Sequence, residues 1–446
     1  LSNVAARPRA TAREVAFQVV RDVFGPEQRG AQAAFNVRTR RAELDVRDRA
    51  FAAELAYGSI KQRRLIDWYL KPYIGVRDKA LPQAILDVLR LGVYQLHFMS
   101  GVEDHAAVSE TVNLAWKHGH KGTAGLVNAV LRRMIADGRP ALDPADFKSD
   151  DDYAGTAYSV PTWIAAQYGR AFDGSRDEAL AGVNAAPQVA LHANPLRAEV
   201  AAVRAVLEER GVASRPSPFV AETLILESGG ALGDDPDGRW LLQGEAAGMP
   251  VDLLAPQAGE TILELCSGRG NKTVQIAARM RAEGTLVCVE HDEKKIVVLE
   301  ETLARAGVTN AAIVRGDAAV AAADIRADGV LLDAPCSGVG VIGRHPEARW
   351  RKTPEDGARL ATTQATLLRA AAERTAPGGR LVYSVCSTDP REGRSLIDDF
   401  LGANAAFVRA SVPERYAPFE RDGDVVVAPG IEGRDGFYIA VLARSA

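Results

Sequence analysis

The chain has 446 residues, 47% of them apolar and 25% charged, enough for two or three soluble globular domains of ~150 residues. No apolar run reaches the ~20 residues of a membrane span. All four cysteines lie beyond residue 260, without a C-x-x-C pair, so neither a disulfide framework nor a zinc knuckle is expected and a reducing compartment fits. The net charge of −4 hides an asymmetry: residues 1–135 carry +8 and the remainder −12, the pattern of a polyanion-binding arm on a catalytic body.

The N-terminal "LSNVAARPRATAREVAF" lacks the continuous apolar region of a secretory signal, although it is arginine-rich as transit peptides are. From residue 10 to about 140 the pattern is helical. "ATAREVAFQVVRDVF" follows Thr11 as N-cap, and "DRAFAAELAYGSIKQRRLIDWYL", "LPQAILDVLRLGVYQLHF", "HAAVSETVNLAWKHG" and "GLVNAVLRRMI" repeat the apolar spacing. Five or so amphipathic helices with short connections predict a compact all-α domain over 10–140. Residues 136–152, rich in Pro, Gly and Asp, read as a linker. Residues 150–240 mix helices ("VPTWIAAQYGRAF", "AEVAAVRAVLEERG") with strands ("QVALHANPLR", "ETLILES"), predicting a small α+β domain.

Over 241–446 strands alternate with helices: "ETILELC", a glycine loop, "KTVQIAARMRAEG", "TLVCVEHD", a helix, "AAIVRGDA", "GVLLDAPC", a helix from about 354 to 375, and "GRLVYSVCS". This predicts a parallel sheet covered on both faces, with an antiparallel edge from the closing "DVVVAPGIEGRDGFYIAVLAR". "ELCSGRGNKT" (264–273) places two glycines between the first strand and its helix, where the backbone can bend tightly against a ligand. Glu290 ends the second strand, positioned for ribose hydroxyls, and Asp317 ends the third, near an adenine edge. These acids and the terminal strand pair favour S-adenosyl-L-methionine; a dinucleotide domain shares the glycine loop and Glu290. Lys272 opens the following helix, either to hold the donor's carboxylate or to order the substrate pocket.

Cys336 in "DAPCSGVG" and Cys386 in "LVYSVCSTDP" each close a strand. If those strands are neighbours, two thiols face each other beside a methyl donor. That pair suits methylation of cytosine C5, a poor nucleophile until a thiolate adds at C6. Asp333 is placed to meet the cytosine N3/N4 edge. Arg344, His345 and Arg349 follow the first cysteine loop, and Arg132 and Arg133 end a helix; all five are candidate RNA phosphate contacts, with an ordinary charged surface as the alternative.

"DAPCSGVG", "RHPEARW" (344–350), "LVYSVCS" and "DGFYIAVL" resemble the signature segments of the RNA cytosine-C5 methyltransferases, the family that includes the Sun/Fmu proteins. "GLVNAVLRR" (125–133) resembles the NusB-type RNA-binding fold, and the combination is similar to the B group of 16S rRNA cytosine-C5 methyltransferases. The resemblance implies three parts: an all-α NusB-like RNA-binding domain, a small α+β domain, and an α/β class I (Rossmann-like) methyltransferase domain. It implies Cys386 as nucleophile, Cys336 as the residue aiding release, and Asp333 at substrate or cofactor. Glu290 and Asp317 would hold ribose and adenine, and Cys266, Ser267, Gly268, Arg269, Gly270, Asn271 and Lys272 the rest of S-adenosyl-L-methionine. The family loop usually carries a proline and two adjacent glycines; Arg269 and Asn271 depart from it.

The reading is therefore a cytoplasmic, monomeric enzyme acting on small-subunit rRNA, with no metal, no membrane and no obligate protein partner. A tRNA cytosine-C5 methyltransferase and a non-catalytic ribosome-assembly factor are the alternatives.

Overall fold

The computed structural model of the protein describes residues 10–75, 81–172, 174–227, 232 and 235–446. The start of the arginine-rich N-terminal segment, residues 1–9, lies outside them. The chain forms two compact units: one runs to Gly169 and also takes in His345–Arg351, and the other comprises Arg170–Arg344 and Lys352–Ala446.

The first unit is helical: α1 (Ala12–Phe24), α2 (Ala31–Ala42), α3 (Val46–Lys61), α4 (Arg63–Ile74), α5 (Gln83–His97), α6 (Asp104–His118), α7 (Lys121–Asp137), α8 (Asp150–Ala157) and α9 (Thr162–Ala171), whose last residues begin the second unit. Thr11 caps α1, its hydroxyl accepting the Glu14 amide. Helix α5 is buried almost all round, from Ile85 to Gln95, and forms the core's centre. The expected helical segment over 48–70 breaks at Gln62, and two amide donors freed there, on Arg64 and Leu65, turn to the Ser159 hydroxyl. The expected linker is partly ordered: Ser149 caps α8, and Asp152 of that helix pairs with Arg64.

Residues 345–351 thread into this helical unit. The Glu347 carboxylate accepts the Ala31 amide at the start of α2. Trp350 donates its indole N–H to Ile60 O at 2.7 Å, and Arg351 reaches Val23 O and Arg29 O. Arg349, in the short helix α15 (Ala348–Arg351), is fully buried and donates to the carbonyls of Lys61 and Ser159. Burial pulls its guanidinium down to about 10.

The second unit holds two sheets. The smaller is antiparallel, in the order β2 (Ser214–Pro216), β3 (Thr223–Leu226), β1 (Ala190–Ala193), β4 (Trp240–Leu242), with α10 (Arg176–Gly182) before it and α11 (Val200–Glu209) within it. The larger contains β5 (Thr261–Leu265), β6 (Thr285–Glu290), β7 (Ala311–Arg315), β8 (Ala327–Asp333) and β9 (Thr375–Val385), all parallel where they pair. It is completed by β10 (Phe407–Arg409), β11 (Glu420–Arg421), β12 (Asp424–Val427) and β13 (Phe437–Arg444), and β13 pairs antiparallel with β9. The order β7-β6-β5-β8-β9-β13-β12 is that of the Rossmann-like class I methyltransferase fold.

Alternate strand residues serve opposite faces. Leu263, Leu265, Val330 and Leu332 pack with α16 (Pro354–Arg374) and α17 (Arg394–Ala403). Ile262, Leu331 and Val382 pack with α12 (Glu245–Leu254) and α13 (Asn271–Arg279). Helix α14 (Glu293–Ala306) connects β6 to β7. Strand order reverses between β5 and β8, and the crevice outside the carboxyl ends at such a switch point is where doubly wound sheets bind ligands.

Arg349→Ala removes the donor to two buried carbonyls. We expect it to lower stability by about 2–3 kcal/mol, read as a fall in Tm, whereas a surface phosphate contact would leave Tm nearly unchanged.

Candidate active site

Backbone register brings the candidate residues to one edge of the sheet. Leu265 is level with Val289 on one side and Leu332 on the other, Glu290 with Arg315, and Asp333 with Ser384. Residues just past these positions, Cys266, Asp317, Cys336 and Cys386, therefore leave the sheet at the same carboxyl edge. The expectation that the two cysteine strands are neighbours holds: β8 and β9 pair in parallel. The sulfur atoms of Cys336 and Cys386 stand 3.1 Å apart, both side chains half-buried.

Two thiols this close do not ionise independently. Contact with the Cys386 sulfur, then burial, holds the Cys336 thiol well above its ordinary value. Cys336 therefore keeps its proton, and its S–H lies within reach of the Cys386 sulfur. Beside them, the Lys272 ammonium meets Asp333 Oδ2 at 2.7 Å, and the Ser384 hydroxyl donates to Asp333 Oδ1 at 2.7 Å. Burial opposes the Lys272 charge, but Asp333, Glu264 and Cys386 outweigh it and hold the ammonium above its usual range. The cation is thus fixed beside the two sulfurs by its pairing with Asp333.

The loop after β5 is shaped from within. Cys266 adopts φ 62°, a left-handed conformation costly for a residue with a Cβ, and burial pushes its thiol up to about 12. Gly268 (φ 63°) and Gly270 (φ 91°) share that region. A Cβ on Gly270 would sit 2.7 Å from Leu299 Cδ1, whereas one on Gly268 would meet only its own loop's Cys266 carbonyl, at 3.9 Å. The Gly268 backbone is therefore open to a ligand. The buried Glu290 carboxylate accepts the amides of Gly268, His291 and Asp292, tying β6 to the donor loop. Asp317 is exposed at the end of β7 and accepts the Ala319 amide. An open glycine backbone ringed by Glu290, Asp317 and Asp333 fits a nucleoside joined to a cationic centre, as in S-adenosylmethionine. It does not suit a pyrophosphate: carboxylates surround it, and Lys272 is engaged with Asp333.

The two departures in the loop have a structural setting. Asn271 donates its side-chain amide to Leu242 O of β4, joining the donor loop to the small sheet. Arg269 lines a surface cavity with Trp240, Leu242 and Arg305.

Residues 251–443 match the 16S rRNA methyltransferase RsmB/F family, and residues 10–136 match the NusB family. A probable ribosomal RNA small subunit methyltransferase B of Bacillus subtilis is 30% identical over 413 residues, covering 90% of this chain and 92% of its own. The chain belongs to the RsmB/F family of 16S rRNA methyltransferases. The ribosomal RNA small subunit methyltransferase B of Thermus thermophilus is 34% identical, with 93% of each chain covered. The crystal structure of PH0851 superposes with a TM-score of 0.80 at 24% identity over 98% of this chain and 99% of its own. A methyltransferase homolog from Pyrococcus horikoshii superposes with a TM-score of 0.58 at 22% identity, covering 67% of this chain and all of its own; both show the same fold. The protein is an S-adenosylmethionine-dependent RNA (cytosine-5)-methyltransferase, with a NusB-like domain ahead of the catalytic one.

The RNA-contact candidates divide. Arg132 and Arg133 are exposed on α7, and His345 is exposed. Arg344 is engaged by Asp435 Oδ2 at 3.0 Å and by the Gln188 carbonyl at 2.9 Å. Arg349 is corrected: it is a buried helical-unit residue whose guanidinium serves backbone carbonyls, so it presents nothing to phosphate. Glu264, Thr273 and Ser384 escaped notice in the sequence. Ser384 had a signal, two positions before Cys386 in the strand that Cys386 follows, where it is level with Asp333. Glu264 sits inside an apolar strand, where burial pushes its carboxyl up to about 7 while Thr273 donates to it at 2.5 Å.

A raised acid favours the folded state while it stays protonated, and that advantage is lost as pH climbs from the ordinary carboxyl range through about 7. Glu264→Gln cannot ionise. Its stability relative to wild type should rise between pH 5 and 7.5, by up to about 3 kcal/mol, in parallel thermal unfolding series; parallel curves would contradict the assignment.

Proposed function

We propose that this chain methylates C5 of a cytosine in 16S rRNA, with Cys386 as the nucleophile at C6 and Cys336 as the residue that aids release. The observation that carries the reading is the 3.1 Å approach of the two sulfurs at the ends of adjacent parallel strands, next to the donor loop. The preference of Cys336 for its protonated form supports the division of labour, since a thiol that holds its proton is the poorer nucleophile of the two.

Cys386 adds to C6, forming an S–C6 bond and making C5 electron-rich. The bound donor supplies an electrophilic sulfonium methyl. As C5 takes the methyl group the sulfonium S–CH3 bond breaks and a neutral thioether leaves; C5 then gives up its proton to a base, the S–C6 bond breaks and the C5=C6 double bond returns. Cys336 lies against the leaving sulfur, which suits a part in this last step. Asp333, aligned by Lys272 and Ser384, faces substrate or donor; Glu290 and Asp317 hold ribose and adenine, with the Cys266–Lys272 loop around the remainder.

The target base is presented unstacked, because C6 cannot be attacked within a helix. Arg132, Arg133 and His345 contact RNA phosphates, a role their exposure supports and the +8 charge of residues 1–135 favours. The chain works as a cytoplasmic monomer, divided into parts at 10–140, 150–240 and 241–446. None of the helices among the described residues is long and apolar enough to cross a membrane.

Incubation of 16S rRNA lacking 5-methylcytidine with protein and S-adenosylmethionine should restore the base at one position, mapped by nuclease digestion and mass spectrometry. Methylation of tRNA alone would move the assignment to the rival substrate, and donor binding without turnover to an assembly role. Cys386→Ala should be inactive. Cys336→Ala should accumulate a protein–RNA adduct that survives denaturing gels; the reverse pattern exchanges the two roles.

A further inference from the structure

Behind the two sulfur atoms a single carboxylate ties both loops together. Glu392 lies six residues after Cys386 and is fully buried. Its Oε1 accepts the Ser337 amide at 2.8 Å and the Gln364 side-chain amide at 3.0 Å. Its Oε2 accepts the hydroxyls of Ser337 and Ser387, each at 2.5 Å. Ser337 follows Cys336 and Ser387 follows Cys386, so one side chain grips the residue next to each thiol. Gln364, from α16, also donates to Pro335 O at 2.8 Å, fixing the other flank of Cys336. The Tyr383 hydroxyl donates to the Glu392 carbonyl at 2.6 Å and anchors the clamp to β9.

We propose that Glu392 is a positioning residue for methyl transfer: its carboxylate locks the Cys336 and Cys386 loops in the one register that brings the sulfurs to 3.1 Å. Four donors converge on two oxygens out of reach of bulk water. Glutamine of the same shape must turn an amino group towards at least one of those donors, leaving it without an acceptor. Aspartate keeps both acceptors but is one methylene shorter. A displacement of about 1 Å at reacting atoms costs on the order of 10²-fold in rate, so the clamp bears on turnover rather than on affinity. That consequence rests on the cytosine methylation reading; the clamp itself rests on geometry alone.

The test uses full-length wild type, Glu392→Gln and Glu392→Asp in two arms. In the first, without RNA, diamide oxidises the facing thiols to a disulfide and is itself reduced to the hydrazine. The rate of Cys336–Cys386 bond formation, located by peptide mass spectrometry, reports sulfur alignment. We expect Glu392→Gln to form it at least tenfold more slowly than wild type, and Glu392→Asp to recover part of the rate. In the second arm, methylation of 16S rRNA should show kcat lowered about 10²-fold by Glu392→Gln, with KM for RNA and for S-adenosylmethionine within twofold. Cross-linking at the wild-type rate, or a loss confined to KM, overturns the proposal. If Glu392→Gln fails to bind S-adenosylmethionine in calorimetry, and so is misfolded, Ser387→Ala takes its place: it removes one of the four donors and should slow cross-linking severalfold, and an unchanged rate overturns the clamp. Failure of wild type to methylate 16S rRNA would defeat the functional reading, while the first arm still decides the clamp.

Discussion

Two sulfur atoms 3.1 Å apart cannot both carry charge, and the site is organised around that constraint. One thiol must stay protonated for the other to be a nucleophile. Contact with the neighbouring sulfur and burial press Cys336 towards the neutral form, and the Lys272 ammonium, paired with Asp333, stands beside the two sulfurs. The arrangement needs two strands to end together, and the parallel pairing of β8 with β9, in register from Gly329 to Asp333, provides this.

The same edge carries the glycine loop proposed for the donor. Because β5 lies between β6 and β8, its glycine loop opens at the switch point, with Glu290 on one side and Asp333 on the other. Glu290 holds the Gly268 amide, so the shape of the glycine loop depends on the same side chain that is proposed to meet the donor. Asn271 extends the support outward to the small sheet through Leu242, which gives the unusual loop sequence a structural role.

The larger sheet was legible because its strands are short, continuous apolar runs ended by Gly, Asp or Pro, and burial on both faces leaves no other use for such runs. The cysteines were legible as a pair because each closes such a strand. Features that depend on distant partners were not. The break at Gln62 is stabilised by Ser159, nearly a hundred residues on. Helix α2, whose only large apolar residues are Phe35 and Val37, has its first amide accepted by Glu347, more than three hundred residues away. Arg349 looked like a loop cation in "RHPEARW", yet it is threaded into the helical unit, a placement no local pattern encodes. Glu392 likewise gave no sign in "DPREG", since its meaning lies in Ser337 and Gln364.

The most direct test of this site is a trapped adduct. A 16S rRNA fragment bearing 5-fluorocytidine at the target position would carry methyl transfer to the stage where C5 must lose a proton, and stop there, since fluorine cannot leave as a cation. Digestion and mass spectrometry then identify the residue bonded to C6. A nucleotide on Cys386, with Cys336 unmodified, is the predicted result; a nucleotide on Cys336, or no covalent product while S-adenosylmethionine is bound, would contradict the account.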